Sequence, residues 1–521
     1  MKPNINIDGV QSYYKEFPSL KIREDKIAEA KNTLNEEQGV LFDKLIEFVQ
    51  SPVEYFVIGG YAGTGKTYTI SKFISVLDEK IAVTAPTNKA VKILADNAEL
   101  GNNGNISYST IHKLLALKVT WQAPKKKGQL PRQILTRNLY AEVTINEYRL
   151  VILDEASMLS FELFNILHQE KNKILRVIFM GDPAQIPPVN EIDSIPLLPE
   201  KREKFGMLYF ELSLIMRQAL NSKILKIAYR IRDQRYREGD LINEFRTNDS
   251  DDVLFFNADK ETKTFIELML NHFTDKSFEE NPNYAKVIAW TNETVNYYNQ
   301  LIRQKIFKTE ALNKIIKGDK LIADSAIIDN REIVFNTSDE FEVIDYEIKD
   351  LYYVITTSED EELFSNQENG GIRLKYYHTL VKYQYPVKLQ LGENPQERYF
   401  HKYIDILHED YEKVYELLLK RLARIGRETN KWADYYSMME RFAKVKYNYA
   451  ITAHKSQGST YQNVFIIEDD IDKNPRYIER NRIKYTAFTR PKNKLFILTS
   501  KIVSKHKPTI EIIKENVEIP E

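Results

Sequence analysis

Gly60-Tyr61-Ala62-Gly63-Thr64-Gly65-Lys66-Thr67 is the stretch on which the reading of this chain turns. Glycine, four residues, then Gly-Lys-Thr is the pattern of a phosphate-binding loop. The apolar run Tyr55-Phe56-Val57-Ile58 precedes it, and the helix-compatible run Tyr68-Thr69-Ile70-Ser71-Lys72-Phe73-Ile74 follows. Strand, glycine loop and helix start form the setting in which the pattern has chemical meaning. Backbone N–H groups crowd round phosphate oxygens, and the helix N-terminus adds a favourable dipole. On this reading Gly60, Ala62, Gly63, Thr64 and Gly65 line a nucleotide cradle, Lys66 reaches the β and γ phosphates, and the Thr67 hydroxyl ligates Mg2+. A chance glycine-rich turn leaves the flanking strand and helix unexplained. Alone, the loop supports an ATP or GTP site and does not say what the nucleotide drives.

Composition narrows the classes. At 521 residues the chain is long for one domain, and three or four are expected. With 43% hydrophobic and 29% charged residues it can bury a sizeable core. Its 74 basic residues are balanced by 75 acidic ones, so any nucleic-acid surface must be a local groove. The absence of cysteine excludes disulfides, thiolate zinc sites and iron–sulfur clusters, and suits a reducing cytoplasm. Met1-Lys2-Pro3-Asn4-Ile5-Asn6 lacks the apolar core of a signal peptide, and no run approaches a membrane span.

Upstream of the loop, Asn32-Thr33-Leu34-Asn35-Glu36-Glu37-Gln38 reads as a helix start capped by Thr33 or Asn35. Gln38 is either a solvated first-turn residue or an amide that reads adenine. Downstream, Ile81-Ala82-Val83-Thr84-Ala85 is a buried strand followed by Pro86-Thr87-Asn88-Lys89, which sets small polar groups at a sheet's carboxyl edge. His112 follows in Ser109-Thr110-Ile111-His112-Lys113. Between Val119 and Leu139 the pattern changes to a basic, turn-rich insert with Trp121, Lys125-Lys126-Lys127-Gly128 and Arg132, read as a solvated loop or a nucleic-acid contact.

Two more strands carry acids and amides at their ends. Leu150-Val151-Ile152-Leu153 delivers Asp154-Glu155, where Asp154 holds Mg2+ and Glu155 polarises an attacking water. Arg176-Val177-Ile178-Phe179-Met180-Gly181 delivers Asp182 and Gln185, an amide placed to sense a γ-phosphate. Three strands with polar carboxyl ends beside a phosphate loop make a nucleotide-hydrolysing α/β domain.

The motif order Gly60 to Thr67, Ala85 to Lys89, Asp154 to Ser157, Gly181 to Val189 and Leu212 to Gln218 resembles superfamily 1 helicases of the RecD/Dda branch, and most of all the phage Dda helicases. The resemblance continues through Ala289-Trp290-Thr291-Asn292, Tyr449 to Thr460 and Tyr485-Thr486-Ala487-Phe488-Thr489-Arg490. Tyr61 departs from it, since a smaller or prolyl residue is usual there. The resemblance implies an α/β fold with two RecA-like parallel-sheet motor domains and an SH3-like β-barrel accessory domain. Motor domain 1 is expected over 1–205 with a wedge-like insert at about 115–142, motor domain 2 over 206–310 and 440–521, and the accessory domain over 311–439. Runs such as Glu340 to Ile344, Leu351 to Ile355 and Val387-Lys388-Leu389 are expected strands of that accessory domain, followed by a helix from about Tyr411 to Ile425.

The resemblance further implies an ATP-dependent, 5′-to-3′ DNA helicase working in replication, recombination or repair. Lys66, Glu155, Gln185, Arg217 and Arg490 would be catalytic, with the two arginines stabilising the transferring phosphoryl group. Gln38, Asp154 and Gly458 join the phosphate loop in binding ATP, and Thr67 and Asp154 hold Mg2+. Pro86, Thr87, Asn88, Lys89, His112, Thr291, Asn292, His454, Lys455 and Ser456 would form the single-strand track, with His454 otherwise a structural hydrogen-bonder. Implied partners are single-stranded DNA, single/double-strand junctions, and a single-strand-binding or replication protein, for a monomer in the cytoplasm of a phage-infected or bacterial cell. A single-strand translocase that strips proteins, and an ATP-switched binding module, are the competing readings.

Overall fold

The computed structural model describes residues 19–96, 105–124, 126, 129–138, 141–214, 222–246, 250–329, 332–354, 371–384 and 399–501. Arg217, Lys125, Lys127, Gly128, Val387-Lys388-Leu389 and the tail beyond Lys501 lie outside these residues.

The apolar runs form buried parallel strands, as expected of strands covered on both faces. The first sheet contains β1 (Tyr55–Gly60), β2 (Ile81–Ala85) and β3 (Ile106–Thr110). After a hairpin of β4 (Leu117–Gln122) and β5 (Arg132–Arg137), it adds β6 (Leu150–Leu153), β7 (Arg176–Gly181) and β8 (Leu208–Leu212). Its order is β3-β2-β6-β7-β1-β8, and every pairing is parallel. Helices α1 (Glu36–Gln50), α2 (Lys66–Ser75) and α3 (Asn88–Asp96) accompany it. Asn35 caps α1: its side chain accepts the Gln38 N–H at 2.9 Å, while Gln38 Oε1 accepts the Asn35 N–H at 3.2 Å. The buried face of α1, Leu41, Phe42, Leu45, Phe48 and Val49, joins Phe56, Ile58, Phe73 and Ile74 in one core. Each such side chain contributes about 1.5–3 kcal/mol on full burial.

The second sheet comprises β9 (Val253–Asn257) and β10 (Ala285–Ala289), with helices α4 (Lys223–Asp233) and α5 (Asn292–Phe307). The chain then leaves it for β11 (Lys320–Ala323), the small hairpin β12 (Ile327–Asp329) and β13 (Glu332–Phe335), and the long strands β14 (Glu340–Val354), β15 (Gly371–Gln384) and β16 (Tyr399–Leu407). Helices α6 (Glu412–Thr429) and α7 (Ala433–Arg441) and strand β17 (Val445–Tyr447) follow. The chain returns through β18 (Ala450–Thr452), β19 (Tyr461–Ile467), α8 (Tyr477–Phe488) and β20 (Pro491–Thr499). The second sheet, β18-β10-β19-β20-β9, is again parallel throughout.

The intervening unit is a five-stranded antiparallel sheet of order β16-β15-β14-β11-β17. Alternation along β15 places Ile372, Leu374 and Tyr376 under α6 and α7, and Tyr377 and Val381 in the opposite core.

Two expected boundaries are corrected. β8 pairs with β1 from Phe56 with Leu208 to Gly60 with Leu212, so the first domain runs past 205. β17 pairs with β11, so the antiparallel unit runs past 439. Among the described residues no helix is long and apolar enough to cross a membrane.

Candidate nucleotide site and nucleic-acid interface

β1 ends at the phosphate loop. Gly65 takes φ +82 at the N-cap of α2, a backbone state that glycine adopts without a side-chain clash. Lys66 Nζ donates to the Gly60 carbonyl at 2.5 Å and to the Tyr61 carbonyl at 3.2 Å, so its ammonium folds over the cradle. Gln38 is buried, and its Nε2 donates to the Thr64 carbonyl at 3.3 Å. Its amide therefore joins the α1 cap to the loop and in this structure is not open to a base.

β6 delivers Asp154 and Glu155 to the same edge. Glu155 has φ +53, a strained state for a non-glycine residue that costs about 1–3 kcal/mol and concentrates at functional sites. Burial and the neighbouring Asp154 push its carboxyl up to about 7, with Arg490 and Lys66 acting in the opposite direction. Burial also raises the Asp154 carboxyl, against the Glu155 N–H and Lys66. Beyond β7, Asp182 Oδ1 accepts the Ala184 N–H at 2.9 Å and shapes the turn. Gln185 is buried there, and its Oε1 meets no hydrogen-bond donor among the described residues.

The second parallel domain closes on this edge. The Ile186 N–H donates to Thr486 Oγ1 at 3.2 Å, and Gln457 Nε2 donates to the Ile186 carbonyl at 2.7 Å. Arg482 reaches Asp193 Oδ2 at 2.7 Å. Arg490 is buried; its Nε donates to the Thr486 carbonyl at 2.8 Å and its Nη1 to the Ser459 carbonyl at 3.2 Å. Gly458, at φ +66, packs against Ala90 and Glu155. The loop, Asp154, Glu155, Gln185, Gly458 and Arg490 thus converge.

The expected track residues are placed differently. Asn88 Nδ2 donates to both Asp339 carboxylate oxygens at 3.0 Å. Lys89 Nζ donates to Glu340 Oε1 at 2.6 Å and to the Tyr461 hydroxyl at 3.2 Å. Burial works against the Glu340 charge, but Lys89 and Lys286 bring its pKa down to about 2. Lys455 Nζ donates to Asp324 Oδ1 at 2.5 Å, and Lys446 Nζ to Asn292 Oδ1 at 3.1 Å. The antiparallel unit therefore sets Asp324, Asp339 and Glu340 on three of the expected contacts.

Thr87 Oγ1 accepts the Ala90 N–H at 3.3 Å, at the start of α3. His112 is held neutral by burial, against a hydrogen bond with the Pro86 backbone. Burial likewise lowers the pKa of His454, against the Glu479 charge. Thr291 caps α5, and its Oγ1 donates to Asp470 Oδ1 at 2.8 Å. Ser456 is buried with its hydroxyl on the Ala453 carbonyl at 2.7 Å, so in this structure its side chain is closed to a nucleic acid.

The β4–β5 hairpin does not stand free. Trp121 stacks on Tyr436 of α7, with ring centroids 5.9 Å apart and planes at 8°, and its Nε1 donates to Glu440 Oε1 at 2.8 Å. Sequence reasoning missed this partner, the three carboxylates on the track, and Asp470. All are long-range contacts that local pattern does not signal. Tyr485 stood in a quoted motif without a role, and it bridges Asp182 and Ala62.

The profile of the AAA domain matches residues 33–249, and that of the UvrD-like helicase C-terminal domain matches residues 447–498. An uncharacterized protein of Acanthamoeba polyphaga mimivirus is 28% identical over 88% of this chain and 99% of its own. The ATP-dependent DNA helicase dda of Enterobacteria phage T4 is 26% identical over 83% of this chain and 92% of its own. The RecBCD enzyme subunit RecD of Buchnera aphidicola subsp. Schizaphis graminum is 24% identical, over 86% and 70%. A solved Pif1 helicase from Bacteroides, in complex with ADP-AlF3 and ssDNA, aligns over 91% of this chain and 95% of its own at 16% identity and a TM-score of 0.43.

Proposed function

The chain belongs among the superfamily 1 helicases of the RecD/Dda type, and on that premise we propose that it is an ATP-dependent DNA helicase that translocates 5′ to 3′ on single-stranded DNA. The observation that carries this is the convergence of two parallel sheets on one cleft. The first brings the phosphate loop, Asp154, Glu155 and Gln185; the second brings Gly458 and Arg490. A site split between two domains ties hydrolysis to their closing and opening.

In this reading the loop N–H groups and Lys66 hold the phosphates. Glu155 takes the proton of the attacking water, and the Gln185 side chain turns its Nε2 to the γ-phosphate, leaving its unpartnered Oε1 to accept from water. Arg490 turns from the Thr486 and Ser459 carbonyls onto the transferring group, joined by Arg217. An arginine supplied in this way accelerates phosphoryl transfer by about 10³–10⁵. Thr67 and Asp154 offer one hydroxyl and one carboxylate, the hard oxygen donors that suit Mg2+. The raised Asp154 carboxyl, buried beside Glu155, fits a place where a cation relieves negative charge. When bound, Mg2+ neutralises charge developing on the phosphate oxygens.

Asn88, Lys89, Thr291, Asn292, His454 and Lys455 supply the single-strand track, once the carboxylates of the antiparallel unit give way. We read that unit as the SH3-like accessory domain and the β4–β5 hairpin as the wedge it braces, acting on single/double-strand junctions. The protein works as a monomer. ATPase assays with single-stranded and duplex DNA test the proposal: single strands are expected to stimulate more strongly, and Lys66→Ala to lose at least about 100-fold. Absence of single-strand stimulation overturns the motor reading.

A further inference from the structure

Ala62, in the middle of the phosphate loop, is held on both sides by the second parallel domain. Its N–H donates to the Tyr485 hydroxyl at 3.2 Å, and its carbonyl accepts from the Tyr229 hydroxyl at 2.8 Å. The Tyr485 hydroxyl in turn donates to Asp182 Oδ2 at 2.7 Å. Tyr61, the unusual aromatic in the loop, packs under the Arg232 guanidinium, 4.3 Å from its ring centroid. Tyr485 lies on α8 and is fully buried, while Tyr229 and Arg232 lie on α4. Burial and the Asp182 charge keep the Tyr485 phenol protonated, so its proton stays on Tyr485, pointed at Asp182, and its lone pairs face the Ala62 N–H.

We propose that Tyr485 is a positioning residue of the ATP site, whose hydroxyl oxygen accepts the Ala62 N–H and yields that N–H to a phosphate oxygen when ATP binds. The inference rests on the ATP-site reading above and extends it to a residue that reading leaves without a role. The part-buried Ala62 N–H carries one proton, so the Tyr485 hydroxyl and a phosphate oxygen compete for it. In this structure the partner is a neutral hydroxyl from the opposite domain. A phosphate oxygen is charged and forms a bond roughly twice as strong, so it displaces the hydroxyl. Arrival of ATP thereby removes one of the second domain's holds on the loop. The Tyr229 hold is on a carbonyl, which no phosphate competes for, and it persists along with the Arg232 contact to Tyr61. The loop stays tethered while the Asp182–Tyr485 arm becomes sensitive to nucleotide.

The test is equilibrium binding of a fluorescent ATP analogue with Mg2+, together with steady-state ATPase, on wild type, Tyr485→Phe and Tyr229→Phe. Tyr485→Phe removes the acceptor that competes with phosphate for the Ala62 N–H, so Kd is expected to tighten by about two- to tenfold. Single-strand-stimulated kcat is expected to fall in the same variant, because the arm to Asp182 is lost. A hydroxyl with only a structural role lowers Tm and does not tighten binding. Tyr229→Phe is expected to show no tightening. Unchanged or weaker binding in Tyr485→Phe, or equal tightening in Tyr229→Phe, overturns the assignment. Should Tyr485→Phe fail to fold, Asp182→Asn weakens the hydroxyl's anchor and must also tighten binding; no tightening overturns the assignment. A wild-type protein that binds no nucleotide overturns the ATP-site reading itself.

Discussion

Gly458 of the second parallel domain lies against Glu155 of the first: a Cβ placed on Gly458 stands 3.6 Å from Glu155 Cγ and 3.3 Å from Ala90 Cβ. The glycine also holds φ +66, where a side chain costs about 1–2 kcal/mol. Gly458→Ala therefore both strains this turn and crowds Ala90, in a seam where the added methyl also touches the residue assigned to activate water. We expect ATPase kcat to fall about tenfold, equivalent to about 1.4 kcal/mol of barrier, while nucleotide binding is retained. Wild-type kcat in this variant contradicts the closeness of the two domains at Glu155.

Glu155 also sets a pH dependence. Burial and Asp154 raise its carboxyl from 4.5 to about 7, so the carboxylate that accepts a proton forms as pH rises through about 7. The value of kcat/KM for ATP reports the free enzyme and is expected to drop about tenfold per unit below that point. The folded state binds this proton more tightly than the unfolded chain, so through Glu155 alone the fold is favoured as pH falls from about 7 towards 4.5. Loss of activity there is thus separable from unfolding. Glu155→Gln is expected to retain ATP binding, lose about 10²–10⁴ in turnover and lose this acid limb. Normal turnover removes the general-base assignment.

Trp121 carries the contact between the hairpin and the antiparallel unit. The parallel stack on Tyr436 is worth about 0.5–1.5 kcal/mol beyond burial, and the bond to Glu440 adds to it. Trp121→Ala is expected to leave single-strand-stimulated ATPase within about twofold of wild type and to reduce unwinding about tenfold, because the released hairpin no longer resists the duplex. Equal loss of both activities contradicts the wedge role.

On the proposed track, three carboxylates stand where nucleic-acid phosphates would bind. Asp339 holds Asn88, Glu340 holds Lys89 and Asp324 holds Lys455. Asp339→Asn with Glu340→Gln keeps hydrogen-bonding atoms in place and removes two negative charges. Fluorescence anisotropy with a labelled single strand is expected to show a several-fold tighter Kd at low salt. The slope of log K against log salt is expected to steepen by about 0.7 for each cation released to a phosphate. Unchanged affinity and slope contradict a track at Asn88 and Lys89.

Local pattern made the nucleotide half of the cleft legible. A glycine loop between strand and helix, and acids at the end of a fully apolar strand, are contiguous in sequence and needed no partner to be read. Parts that depend on distant pairing were not legible. β8 joins the first sheet by pairing with β1, far upstream, so the boundary at 205 fell short. Asn88 and Lys89 meet Asp339 and Glu340 across 251 residues, and no motif in either segment announces the other. Gln38 shows a subtler limit. The capping pattern was visible at Asn35, but not that the same amide also reaches the Thr64 carbonyl.

The most direct test of the central claim is unwinding of forked duplexes that carry either a 5′ or a 3′ single-stranded tail, with ATP and Mg2+. The account predicts strand separation of the 5′-tailed fork, its loss in Lys66→Ala, and little or none with the 3′ tail. Separation of neither fork, despite ATPase stimulated by single strands, contradicts the helicase assignment, and preference for the 3′ tail contradicts the polarity.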